Sequence, residues 1–181
     1  MFNPIIVLYT YFPEKLAFRV LLIVALAAAC TALFDLLWRN GKLGRNKARG
    51  YTVLLLYILA LFFVIVLGRR TQTYTRIVLN PIPGFVNLFS SGSINDWPET
   101  VLNIVAFVPI GILTYAATKR VRVIKSVLTG FLLSALFEAL QYVLRNGYCE
   151  VRDILNNTLG TLLGAALGII LIIIIKKRRA D

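Results

Sequence analysis

Histidine is absent from this 181-residue chain, which removes the usual proton shuttle at neutral pH and the commonest metal ligand. Only two cysteines occur, too few for a disulfide framework. Cys30 falls inside an apolar run and Cys149 in a loop, so pairing between them is not expected. Charge is scarce as well: 15% of residues are charged, against about a quarter in soluble domains. Only eight residues are acidic. No nucleophile elbow, metal-ligand spacing or nucleotide-binding glycine loop appears. Long internal repeats and low-complexity tracts are missing too, and without an inverted repeat a transporter is disfavoured. No cofactor or metal is implied.

What the chain has instead is apolar residue, 59% of the total, with mean hydropathy +0.79. It comes in long blocks, which places the protein among integral membrane proteins. Five runs, roughly 16–38, 51–67, 101–118, 126–144 and 154–175, approach the roughly 20 residues that cross a bilayer as a helix. The expected fold is an all-α, polytopic bundle of about five transmembrane helices. The string "ALAAAC" at 25–30 faintly resembles a lipoprotein cleavage site. The apolar run continues past Cys30 to Trp38, however, so an uncleaved helix is expected.

Net charge is +12, yet the basic residues cluster between apolar runs, which excludes nucleic acid as a partner and fits membrane lipid. Segments 39–50, 119–125 and 176–181 are rich in Lys and Arg, whereas the alternate segments are poor. The positive-inside rule then places the N-terminus outside and the C-terminus in the cytoplasm. Residues 1–68 form two helices around a basic cytoplasmic loop, and 69–181 form the remaining core and basic tail. In the external segment 68–100, "NPIPGF" (80–85) is expected to break regular structure. Its aromatics Tyr74, Phe85, Phe89 and Trp97 suit the membrane interface, against which the segment should lie or fold back. Asp96 and Glu99 read as a capping box opening the third span, with Pro98 in its first turn.

Polar residues in the last three spans fall on single helix faces. Gly130, Ser134, Glu138, Gln141 and Arg145 share one face, and Asp153, Asn157, Gly160, Gly164 and Gly168 share another. Asn103, Phe107 and Gly111 mark the third span. Small residues every four positions allow close helix approach, so these stripes should face one another. With the assigned orientation, Asn103, Glu138, Gln141, Glu150, Arg152, Asp153 and Asn157 form one polar site in the outer half of the membrane. An ionisable group inside a span costs roughly 2.5–3.5 kcal/mol and usually marks a functional cavity, which singles out Glu138. Arg152 or Arg145 is the expected countercharge. Asp35, one turn from Arg39, should pair with it near the inner surface.

The residues Glu99, Asn103, Phe107, Pro109 and Gly111, then Ser134, Glu138 and Gln141, then Gly147, Glu150, Asp153, Asn157, Thr158 and Gly160 resemble the VanZ-like family. The likeness runs over roughly 69–168. It implies a small bacterial plasma-membrane protein linked to resistance to teicoplanin, a lipid-tailed glycopeptide antibiotic. The implied partners are that lipoglycopeptide or a lipid-linked cell-wall precursor. Two activities fit. One is binding at the outer leaflet. The other is an enzyme on a lipid-linked phosphate substrate, with Glu138 or Asp153 as acid/base and Arg152 on the phosphate. Glu138, Glu150 and Asp153 also have the oxygen ligands a divalent cation takes, at a spacing that is not diagnostic.

Overall fold

A computed structural model describes residues 16–69, 73–90, 97–117 and 122–178. Five helices in it are long and apolar enough to cross a membrane: Val20–Arg39, Arg45–Leu67, Trp97–Ala117, Arg122–Val143 and Val151–Lys177. The protein is an all-α, multi-pass membrane protein. The chain divides into two compact units, Met1–Arg76 with Leu140–Tyr148, and Ile77–Ala139 with Cys149–Asp181.

In the first unit α1 (Leu16–Arg39) turns back into α2 (Arg45–Phe62). Gly41, at φ +70°, supplies the left-handed residue that ends α1. Phe34 stacks on Tyr51 at 6.0 Å, and the expected Asp35–Arg39 pair is present at 2.7 Å. That pair is largely exposed and contributes little stability. The second span is longer than the apolar run predicts, because α2 begins within the basic loop at Arg45 and continues as a π-helical turn, Phe63–Leu67. The Gly68 N–H donates to the Phe63 carbonyl at 2.6 Å, the wider π register.

The end of a helix leaves its last carbonyls unsatisfied, and here two side chains answer them. Gln141 Nε2 donates to the Ile65 carbonyl at 3.0 Å, and Asn146 Nδ2 donates to the Val66 carbonyl at 2.7 Å. Both donors belong to a Schellman turn. The Asn146 N–H bonds the Gln141 carbonyl and the Arg145 N–H bonds the Tyr142 carbonyl, with Arg145 at φ +54°. Arg145 therefore lies beyond the last helical turn and is exposed. It does not continue the Glu138 face as the spacing predicts, because the left-handed residue redirects the chain.

The second unit holds β1 (Ile77–Val78), α3 (Ile82–Ser90), α4 (Trp97–Ala117), β2 (Cys149–Glu150), α6 (Val151–Lys177) and most of α5 (Arg122–Val143). The strands are two residues each and pair in parallel, Ile77 with Cys149 and Val78 with Glu150. Segment 80–85 does not break regular structure: it opens α3. Asn80 Oδ1 accepts the Ile82 N–H at 3.0 Å, as an N-cap does. Pro81 and Pro83 fall in the first turn, where a missing N–H leaves no helical bond unmade. Trp97, Pro98 and Glu99 open α4 as expected; Asp96, the other half of the expected capping box, lies outside the described residues.

Glycines set the packing of this unit. A Cβ at Gly160 would overlap the Ile104 carbonyl, one at Gly164 the Val108 carbonyl, and one at Gly111 the Thr161 carbonyl. The partners advance together along both chains, so α4 and α6 run parallel with backbones in contact. A Cβ at Gly130 would overlap the Thr161 hydroxyl, and Asn157 bonds Ser134, an order that makes α5 antiparallel to α6. Phe107 and Phe137, both buried, meet edge to face at 6.3 Å. Along α6 the residues off the glycine stripe, such as Leu159, Leu163, Leu167 and Ile170, are exposed. Apolar exterior around a polar interior is the arrangement a lipid solvent selects.

Candidate functional site

The shared direction of α4 and α6 brings their polar first turns to the same end of the second unit, where α5 nears its close. Ile104 faces Gly160 and Val108 faces Gly164, so one turn earlier Thr100 comes level with Asn156. Thr100, Ser134, Glu138, Asp153, Asn156 and Asn157 are all buried there. Asn157 Nδ2 donates to Ser134 Oγ at 2.8 Å. The Glu150 backbone N–H donates to Glu138 Oε2 at 2.9 Å, tying a carboxylate that is only 2% exposed to the residue that begins α6.

Arg152 is the cation of this cluster. Its Nη2 lies 3.7 Å from Glu99 Oε2 and 3.5 Å from Glu150 Oε2, and its Nε lies 3.8 Å from Asp153 Oδ1. Those separations give ion pairs longer than hydrogen bonds. Arg152 Nε, Thr100 Oγ1, Asn103 Nδ2, Asn156 Nδ2 and Asn157 Oδ1 are buried without a hydrogen-bond partner among the described residues. A buried polar atom left unmatched costs about 1–3 kcal/mol, and five of them gather at one end of this unit. The α3 helix closes against Arg152, since a Cβ at Gly84 would lie 2.9 Å from Arg152 Cδ.

Of the residues singled out by sequence, Asn103, Glu138, Glu150, Arg152, Asp153 and Asn157 all fall in this unit. Gln141 belongs to the first unit, where its amide serves the Ile65 carbonyl. Glu150, Arg152 and Asp153 are joined by ion pairs, Glu138 by the Glu150 N–H, and Asn157 through Ser134. Among the described residues no three acidic or cysteine side chains gather closely enough to hold a metal ion. Glu138, Glu150 and Asp153 do not make a shared cation site. Burial pushes the Cys149 thiol above its ordinary range, and the Glu138 carboxylate adds to the shift.

Sequence reasoning missed four members. Glu99 reads as a cap and instead reaches Arg152. Thr100 and Asn156 sit beside recognised positions and carried a signal only once the α4–α6 register was known. Gly84 lay in a segment expected to be irregular.

The VanZ/LLP1 family model matches residues 50–175. Protein VanZ of Enterococcus faecium is 26% identical over 125 residues, covering 69% of this chain and 75% of that protein. No solved structure matches the chain. The match begins within α2 and ends within α6, taking in both short strands, α3 and the whole polar cluster, and it makes this chain a member of the VanZ/LLP1 family.

Proposed function

We propose that this protein lies in the bacterial plasma membrane with its N-terminus outside and its C-terminus in the cytoplasm. In that orientation the polar end of the 69–181 core faces the outer leaflet. Asn103, Glu138, Glu150, Arg152, Asp153 and Asn157, with Glu99 and Asn156, form a binding site there. Its ligand is the lipoglycopeptide teicoplanin or a lipid-linked cell-wall component, and binding underlies resistance. The alternating Lys/Arg count supports the orientation, and the family supports the link to glycopeptide resistance.

The observation that carries the binding reading is an excess of carboxylate. Glu99, Glu150 and Asp153 surround one guanidinium, and Glu138 is bonded to Glu150. The chain has only eight acidic residues and a net charge of +12, so this concentration runs against its composition. Such a site attracts a cationic group on an amphiphilic ligand and has no spare guanidinium to hold a phosphate. That argues for binding over the enzymatic reading in which Arg152 grips a phosphate, its charge being already answered.

The test uses cells expressing wild type, Glu138→Gln and Asp153→Asn at matched membrane levels. Loss of teicoplanin resistance in both variants supports the reading, and wild-type resistance in both refutes it. In a Cys30→Ser/Cys149→Ser background, an impermeant thiol reagent should label Ser91→Cys but not Lys42→Cys in intact cells. The reverse pattern would place the site on the wrong side.

A further inference from the structure

The first unit offers a candidate of its own. Between α1 and α2 there is a cavity of about 470 Å³ lined by Thr31, Asp35, Trp38, Arg45, Arg49 and Thr52 among others, within the roughly 300–1,000 Å³ range of ligand pockets. Its charge is unbalanced. Asp35 is held by Arg39 at 2.7 Å, so the one acid of the wall is already neutralised. Arg45 is spread over the Trp38 ring at 5.4 Å, which fixes its guanidinium at the rim. Arg49 makes no ion pair among the described residues. The Thr31 and Thr52 hydroxyls donate to the Ala28 and Ala48 carbonyls of their own helices, so the two guanidiniums are the donors that face the cavity, and a guanidinium fork takes phosphate oxygens.

We infer that this cavity binds the phosphate headgroup of an anionic phospholipid. The surroundings favour a lipid over a free phosphate. Leu33, Leu36, Val53 and Leu56 on the same two helices are exposed and offer an apolar surface for acyl chains. Trp38 has the amphipathic ring that settles at headgroup depth. Basic pockets between membrane helices bind anionic headgroups in this manner. The bound lipid ties the α1–α2 hairpin at its basic end.

The test uses the purified full chain in an uncharged detergent, titrated with phosphatidylglycerol, phosphatidylcholine and inorganic phosphate, with binding read by native mass spectrometry. Phosphatidylglycerol binds at one site, and the double variant Arg45→Gln/Arg49→Gln weakens it by about fivefold per arginine, the equivalent of about 1 kcal/mol each. Lys42→Gln/Lys47→Gln removes the same charge from the same loop without touching the cavity and leaves binding unchanged. Val53→Trp fills the cavity with no change of charge and also weakens binding, a result independent of whether the arginine variant folds. Equal loss in both charge variants, equal binding of phosphatidylcholine, inorganic phosphate binding as tightly as the lipid, or full binding by Val53→Trp would each overturn the inference.

Discussion

Replacing Gly164 by alanine adds a single methyl group where α4 and α6 touch. That methyl would overlap the Val108 carbonyl oxygen, and it would lie 2.9 Å from the Val108 carbonyl carbon and 3.0 Å from Gly111 Cα. None of these atoms ends a flexible side chain, so relief requires one helix backbone to move off the other. A gap of roughly 0.5–1 Å forfeits a quarter to a half of the dispersion attraction across it. The loss extends along the seam, because Gly160 meets Ile104 and Gly111 meets Thr161 with the same backbone approach. Overpacking of this kind costs about 1–3 kcal/mol, and the seam's rigidity puts Gly164→Ala at the upper end. Alanine returns about 1 kcal/mol of helix propensity, leaving a net loss of about 2 kcal/mol. For a chain of this size that lowers Tm by about 4–8 °C. Gly50 is the control: it lies inside α2 with nothing within 4 Å of its Cβ position, so Gly50→Ala keeps the propensity gain and raises Tm slightly. Thermal unfolding of the two variants in one detergent reads the difference in sign. A Gly164→Ala protein as stable as Gly50→Ala would refute backbone contact between α4 and α6.

Three more perturbations probe particular atoms. Arg145→Gly relieves a left-handed backbone that costs a side-chain-bearing residue about 1–2 kcal/mol, so the variant should melt higher; a lower Tm would deny the Schellman turn. Asn146→Ala leaves the Val66 carbonyl without its donor, a loss of about 1–3 kcal/mol that should appear as faster hydrogen exchange at Gly68, and unchanged exchange would mean the bond is not made. The Cys149 thiolate is the reactive form, and burial with the Glu138 charge holds its population down. Maleimide labelling should therefore quicken as pH rises through neutrality and be faster in Glu138→Gln than in wild type at neutral pH, while equal rates would separate the two groups.

The spans were legible because length and hydropathy suffice to identify a helix that must satisfy its backbone within lipid. The inward stripes were legible for the same reason a glycine is: Gly160 and Gly164 recur every four residues, and so do Ser134 and Glu138, which places them on one face. The Ser134–Asn157 hydrogen bond and the Asp35–Arg39 pair follow from that spacing. Terminal geometry was not legible. Prolines signal both a break and a first turn, and only the Asn80 cap distinguishes them in segment 80–85. Arg145 departs from its stripe because its backbone turns left-handed, which its side chain gives no reason to expect. The partnership of Gln141 and Asn146 with a π-turn about eighty residues earlier is a tertiary fact with no local signature. Glu99, Thr100 and Asn156 joined the candidate site only once the parallel register of α4 and α6 was known.

The most direct test of the proposed site is equilibrium binding of teicoplanin to the purified full chain, wild type against Glu138→Gln and Asp153→Asn. Glu138→Gln preserves shape and an oxygen to accept the Glu150 N–H, so its Tm should match or exceed wild type, removal of a buried charge being neutral to stabilising. The binding account predicts saturable binding by wild type and an affinity lower by about tenfold or more in each variant, the scale of one charge-assisted contact. Well-folded variants that bind as tightly as wild type would contradict it and leave the cluster a means of holding three helices together.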